Sequence, residues 1–390
     1  MKKYMLLWAL MLVLSGLLFA QDKSPYQSPV DKMADVLINY SLELQPGEKL
    51  AIITSPIAND LNLALLKYAL MAGAHPDYRC RIHGAEETFL KYADNNQLTH
   101  VSEVDMFEVQ YYDAMVFVGA STNVKTLNNL EPEKRQLIRD ANKAYVQSLW
   151  RRIDGKELKW CYVIYPTDAY AQEADMGTEE YKEFVFEMCK LNEVDPVAKW
   201  KKLALNQTKW IDRLKGKDRL ELKGPNIDLT MSIKDRTFLA GDGKENFPDG
   251  EIYCSPVENS TNGWIKFNYP SDDFGNEIQD LELWFENGKV TQYKASKGEE
   301  FFKSLIETDE GASILGEIGI GTNYEIKRFT KNTLFDEKMG GTIHLAVGTG
   351  FPESGGTNES AMHHDMVFSM RDSQILVDGE LFYENGNFVE

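Results

Sequence analysis

Basic residues are scarce. Lysine and arginine number 42 against 61 aspartates and glutamates in 390 residues, a formal charge of -19. Such a chain has too little cationic surface to neutralise phosphates, which excludes an extended nucleic-acid or anionic-membrane interface. Cysteine is also sparse. Cys80, Cys161, Cys189 and Cys254 lie far apart and form no CxxC pair. A cysteine-ligated metal therefore has no support, and a chain of this length has no need of disulfide staples, so free and mostly buried thiols are expected. The first half contains no GxGxxG and no GxxxxGK[ST], so nothing there points to nucleotide binding. With 13 prolines and 28 glycines, the chain is neither collagen-like nor mainly disordered. No long apolar run follows the first 20 residues, so no membrane contact is expected of the chain beyond them.

Those first 20 residues stand apart. Lys2 and Lys3 precede an apolar run from Tyr4 to Leu14, and Ser15-Gly16-Leu17-Leu18-Phe19-Ala20 follows. A basic start, an apolar centre and a small residue before Gln21 form the pattern of a secretory signal peptide. A retained anchor or a buried helix are the alternatives. The expectation is an exported protein, periplasmic or extracellular, beginning near Gln21.

The remainder is long enough for two domains. Asp31 to Leu42 carries Met33, Val36, Leu37 and Tyr40 at helical spacing. The run Lys49 to Thr54 predicts a strand, and a helix through Leu61, Ala64, Leu65, Tyr68 and Ala69 follows it. Val104, Phe107 and Val109 lead into a second strand, Tyr112 to Val118; Trp160 to Pro166 predicts a third, and Thr178 to Leu191 another helix. Strands alternating with helices indicate an α/β layer domain. After about Leu214 the pattern changes to short alternating segments joined by Asn287-Gly288, Asp378-Gly379 and Asn385-Gly386, which are hairpin signals. We therefore divide the chain into a signal peptide (1–20), an α/β N-terminal domain (21–215) and a strand-rich α+β C-terminal domain (216–390).

Chemistry concentrates late in the chain. In Met362-His363-His364-Asp365-Met366, a strand would place His363 and Asp365 on one face and turn His364 away. Imidazole and carboxylate suit a divalent ion, but an exposed polar pair or a histidine oriented by its neighbour fits as well. His344 interrupts the apolar run Ile343 to Val347 between glycines. Glu251 and Glu317 sit beside glycines in apolar stretches, where a buried carboxylate needs a cation or hydrogen bonds. Each could equally be a surface residue at a strand edge.

Taken in order, Gly250-Glu251-Ile252-Tyr253 with Ser255-Pro256, Leu315-Gly316-Glu317-Ile318, Asp336-Glu337, Ile343 to Gly348 and Met362-His363-His364-Asp365 resemble the motifs of the thermophilic metalloaminopeptidases often called the M29 family. The resemblance covers nearly all of the chain after the signal segment. It implies a dinuclear aminopeptidase that acts on short peptides with a free N-terminus. The family forms homodimers whose active sites open onto a sheltered internal space. Carried over by position, Glu251, Glu317, Glu337, His344, His363 and Asp365 are the implied metal-site residues around two divalent ions, zinc, cobalt or manganese. Glu317 is the implied bridge and catalytic carboxylate. The chain has no HExxH, so a one-helix zinc protease site is not the arrangement. Two departures stand out. The segment from Glu337 to His344 is longer than in the family, and Phe351 replaces a tyrosine whose hydroxyl stabilises the oxyanion. Losing one such donor costs roughly 3 kcal/mol, or ~100-fold in rate, which implies slow or altered chemistry. Another metal-dependent hydrolase and a non-catalytic, metal-stabilised binding protein remain as alternatives.

Overall fold

The apolar segment from Lys49 to Thr54 forms β1 (Lys49–Thr54) of a parallel sheet, with β2 (His75–Cys80), β3 (Ala114–Gly119) and β4 (Lys159–Ile164). A computed structural model describes residues 28–126, 131–273 and 276–390, so the expected signal segment lies outside the described residues. Side chains of β1 are buried on both faces. Leu50 and Ile52 pack into one apolar cluster, and Ala51 packs into another with Met115 and Tyr112. Continuous burial of this kind explains why β1 reads as an apolar run without alternation. The first helix, Pro29–Val36, is capped by Ser28 and continues as a π-helical turn, Leu37–Ser41. Val104, Phe107 and Val109 lie on a helix, Glu103–Tyr111, that leads into β3. Ser102 supplies the helix cap there, accepting the Asp105 N–H.

The last helix of the first half is Pro196–Leu214. The second half then contributes β5 (Arg219–Gly224), β6 (Ile227–Ser232), β7 (Leu239–Gly241), β8 (Asn246–Phe247), β9 (Glu251–Cys254) and β10 (Asn262–Lys266). It continues with β11 (Ser271–Asp273), β12 (Asn276–Ile278), β13 (Glu282–Glu286), β14 (Lys289–Lys294), β15 (Leu315–Gly321) and β16 (Thr342–Gly348). The chain closes with β17 (His363–Ser369), β18 (Gln374–Val377), β19 (Glu380–Glu384) and β20 (Asn387–Phe388). β8 returns to pair with β4, so the second half supplies an edge strand to the first sheet. The three Asn-Gly and Asp-Gly signals all sit at hairpin turns, each with both residues at positive φ.

Two larger antiparallel sheets, with a two-stranded β11-β12 sheet, build the second half. One has the order β14-β13-β10-β6-β5-β18-β19-β20, the other β17-β16-β15-β9-β7. Ile318, Ile320, Ile343, Leu345, Met366 and Phe368 of the smaller sheet share a core with Leu222, Leu229, Ile265 and Leu283 of the larger. The opposite face of the smaller sheet turns toward the first half, where Val367 joins Ile326, Phe335 and Met339 in that half's core. All four cysteines are free, with Cys80 exposed and the others buried.

Candidate metal centre

Alternation along four adjacent strands sets the site. Glu317 and Gly319 of β15 face away from the core that holds Ile318 and Ile320. Each buried isoleucine contributes roughly 1.5–3 kcal/mol, which offsets the cost of keeping Glu317 out of water. Cross-strand pairing then carries the same face outward. Glu251 lies opposite Gly321, Ala346 opposite Glu317 and His344 opposite Gly319. Asp365 lies opposite Ala346, and His363 opposite Gly348. Small residues between these side chains make room: a Cβ at Gly319 would come within 1.9 Å of the His344 ring.

The result is two groups that share one carboxylate. Glu251, Glu317 and His344 form the first, and Glu317, His363 and Asp365 the second. His344 Nε2 lies 3.3 Å from Glu251 Oε2 and 3.4 Å from Glu317 Oε1. His363 Nε2 lies 3.0 Å from the other Glu317 oxygen and 3.4 Å from Asp365 Oδ1. The remaining ring nitrogens are held by backbone carbonyls. His344 Nδ1 is 3.1 Å from Glu337 O, and His363 Nδ1 is 3.0 Å from Thr349 O. Donation to those carbonyls fixes the tautomer that leaves Nε2 free as a ligand.

Glu337 belongs to neither group. Its carboxylate is bonded by Lys338, a residue that sequence reasoning did not single out. Lys338 is 2% exposed, and its Nζ also lies 2.6 Å from Glu251 Oε1. In the run Asp336-Glu337-Lys338 it has the signature of a surface charge, and no local signal marks it as buried. His364 points to the opposite face, where its Nε2 is 3.0 Å from Ser271 Oγ and Phe302 packs nearby. Phe351 sits at the more open side of the site, its ring centroid 5.2 Å from that of Tyr253 and 5.5 Å from that of His363. Of the five residues in the two groups, His363 is the most exposed, at 24%, so this side is the opening.

Burial and charge act against each other here. Burial raises Glu251 to about 8, although Lys338 and His344 pull it down. Glu317 is also pushed up by burial, but hydrogen bonds from His344 and His363 win and hold it below its ordinary value. Burial would lower His344, yet Glu251 and Glu317 raise it to about 10. His363 is likewise raised, against its burial, mainly by Asp365. At His364 burial outweighs the opposing charge of Asp365, and it falls to about 4. Burial, with the charges of Glu251 and Glu245 next in weight, holds the Tyr253 phenol well above its ordinary value, so it remains a proton donor.

Divalent ions fit these residues. Glu251 Oε2 and Asp365 Oδ1 are buried oxygens without a hydrogen-bond partner, a costly state unless a cation meets them. The donor set of carboxylates and imidazoles suits a divalent ion. Removal of His363 or Asp365 as alanine is expected to weaken metal binding by more than about 100-fold, since even second-sphere changes cost 10–100-fold. His364→Ala should change it little. Titration calorimetry with metal analysis reads both, and an equal loss at His364 would overturn the facial assignment. Because His344 and His363 must lose protons to bind metal, affinity should rise with pH toward about 10.

The protein-family model described as thermophilic metalloprotease (M29) matches residues 26–388. Aminopeptidase 2 of Geobacillus stearothermophilus is 26% identical, over 93% of this chain and 98% of its own. Aminopeptidase AmpS of Bacillus subtilis is 24% identical, over 93% and 99%. Wild-type AmpT from Thermus thermophilus superposes with a TM-score of 0.82 at 22% identity, covering 93% of this chain and 99% of that one, a likeness of fold. Since the family model spans nearly the whole described chain and the site holds a plausible dinuclear metal-binding cluster, the protein belongs to the M29 family of metal-dependent peptidases.

Proposed function

We propose that this protein releases N-terminal amino acids from short peptides, using two divalent ions, zinc, cobalt or manganese, held by Glu251, Glu317, His344, His363 and Asp365. The observation that carries this reading is the position of Glu317, whose two oxygens face the two histidines and belong to both ligand groups. Bound divalent ions would supply Lewis acidity to the scissile carbonyl and acidify water at neutral pH. The chain's own residues do the positioning. His363 and His344 are oriented by Thr349 O and Glu337 O, Lys338 neutralises Glu251 and Glu337, and Glu317 is placed to receive a proton. The surplus of carboxylates over Lys338, the lysine set among them, favours a substrate that brings its own ammonium group. Three further relatives bearing the name aminopeptidase support the exopeptidase reading.

A metal-reconstituted panel of free and N-acetylated peptides, read by mass spectrometry, tests it. Sequential N-terminal losses confined to the free peptides are expected, with activity lost on chelation and regained when metal is restored. Internal cleavage would select another hydrolase. The reading extends to export, on the Lys2-Lys3 start and its apolar run, and to a homodimer, on the family resemblance. N-terminal sequencing of the natural protein should begin near Gln21, and light scattering should give about twice the monomer mass. An intact Met1 or a concentration-independent monomer would remove the corresponding part.

A further inference from the structure

Hydrolysis of a peptide bond develops negative charge on the carbonyl oxygen, and a neutral donor aimed at that oxygen is worth about 100-fold or more in rate. The side chains around the ligand groups leave few donors free. Lys338 is engaged by Glu251 and Glu337, and His344 and His363 have their Nδ1 atoms on carbonyls. Phe351 has no donor. Tyr253 does. It lies two residues after Glu251 on β9, so both side chains project from the same face while Ile252 and Cys254 enter the core. Tyr253 pairs with Gly319, which pairs in turn with His344. The lane between phenol and imidazole is therefore occupied only by a glycine. Its ring meets the edge of Phe351, whose own ring meets His363 at the opening. That contact is held in place: the Phe351 N–H donates to Ser255 Oγ at 2.8 Å, just past the end of β9. The phenols of Tyr40 and Tyr78, by contrast, are engaged, Tyr40 donating to Asp242 O and Tyr78 to Asn62 O. No described residue hydrogen-bonds the Tyr253 hydroxyl, and its side chain is only half-buried.

We propose that Tyr253 is the oxyanion donor of this site, its hydroxyl reaching from β9 over the face that carries Glu251 and Glu317. The proton stays on the phenol throughout, so the step is hydrogen-bond donation and no bond to the tyrosine forms. This role rests on the peptidase reading above. It also gives Phe351 a purpose as the apolar wall against which the phenol stands.

Tyr253→Phe, Phe351→Tyr and the double variant, all metal-loaded, test the proposal. Three quantities are measured for each: metal content, kcat and KM on a short free peptide, and calorimetric affinity for an aminophosphonate that mimics the tetrahedral oxyanion beside that for the free amino acid. Tyr253→Phe should keep its metal and KM, lose about 100-fold in kcat, and weaken the phosphonate far more than the amino acid. Phe351→Tyr should raise kcat more in the Tyr253→Phe background than alone. Unchanged kcat and phosphonate affinity in Tyr253→Phe would overturn the proposal, as would equal weakening of phosphonate and amino acid, which marks a packing role. A wild-type protein that binds the phosphonate but cleaves no free peptide would overturn the aminopeptidase reading instead, and the phosphonate comparison would still decide on Tyr253.

Discussion

Replacing Glu317 with glutamine is expected to lower kcat/KM on order of 10³-fold, while Ile318→Leu beside it leaves the rate within a few-fold. A shared carboxylate contributes negative charge to both ligand groups and a proton acceptor between them. Glutamine keeps the shape and removes both properties, and metal-assisted catalysis draws several kcal/mol from such a centre. Ile318 faces the core between the two antiparallel sheets, so its replacement by an isomer is a volume-conserving change. Steady-state kinetics with metal analysis on both variants decide the matter. A Glu317→Gln protein with full metal and an unchanged rate would remove Glu317 from the chemistry.

Lys338→Met should have the largest effect on the stability of the metal-free protein, a loss of about 3–5 kcal/mol. Lys338 is buried at the centre of Glu251 and Glu337, and removing it leaves two carboxylates without their cation. The sign of the pH dependence follows from Glu251. Burial already raises its pKa to about 8, and Lys338 is the strongest influence pulling it down. A carboxylate whose folded pKa is raised contributes stability that is present at low pH and lost as pH rises through that pKa. Without the lysine the carboxylates protonate more readily, so the loss should be small near pH 5 and greatest above about pH 8. Thermal unfolding of the chelated variant across that range, beside the wild type, measures it. Added metal should restore much of the difference by meeting the same carboxylates; a variant as stable as the wild type at pH 8 would show that Lys338 does not hold this cluster together.

Periodicity alone reached much of this architecture. The apolar run Lys49 to Thr54 could only be a short buried strand, because six residues bounded by Pro46-Gly47 and Pro56 leave no room for a helix. The Asn-Gly and Asp-Gly hairpins were equally legible, since few other residues accept the positive φ that such turns need. Where Val104, Phe107 and Val109 were concerned, the apolar spacing suited either element, and the cap at Ser102 decided for a helix. On β17 the period of two by itself separates His363 and Asp365 from His364.

Strand order lay beyond the sequence. Glu251 and Asp365 are far apart in the chain, and their meeting depends on β9, β15, β16 and β17 being neighbours, which no single strand's pattern encodes. Motif resemblance named Glu251, Glu317, His344, His363 and Asp365 together, but it gave no reason for the glycine and alanine positions between them; cross-strand register does. Lys338 was missed for a physical reason. A lysine after two acids has the pattern of a surface residue, and only the tertiary fold buries its ammonium between Glu251 and Glu337. Local alternation thus determined which face of each strand each residue occupies. Tertiary structure decided which faces meet, because long-range strand pairing is set by the burial of whole sheets rather than by any one segment's propensity.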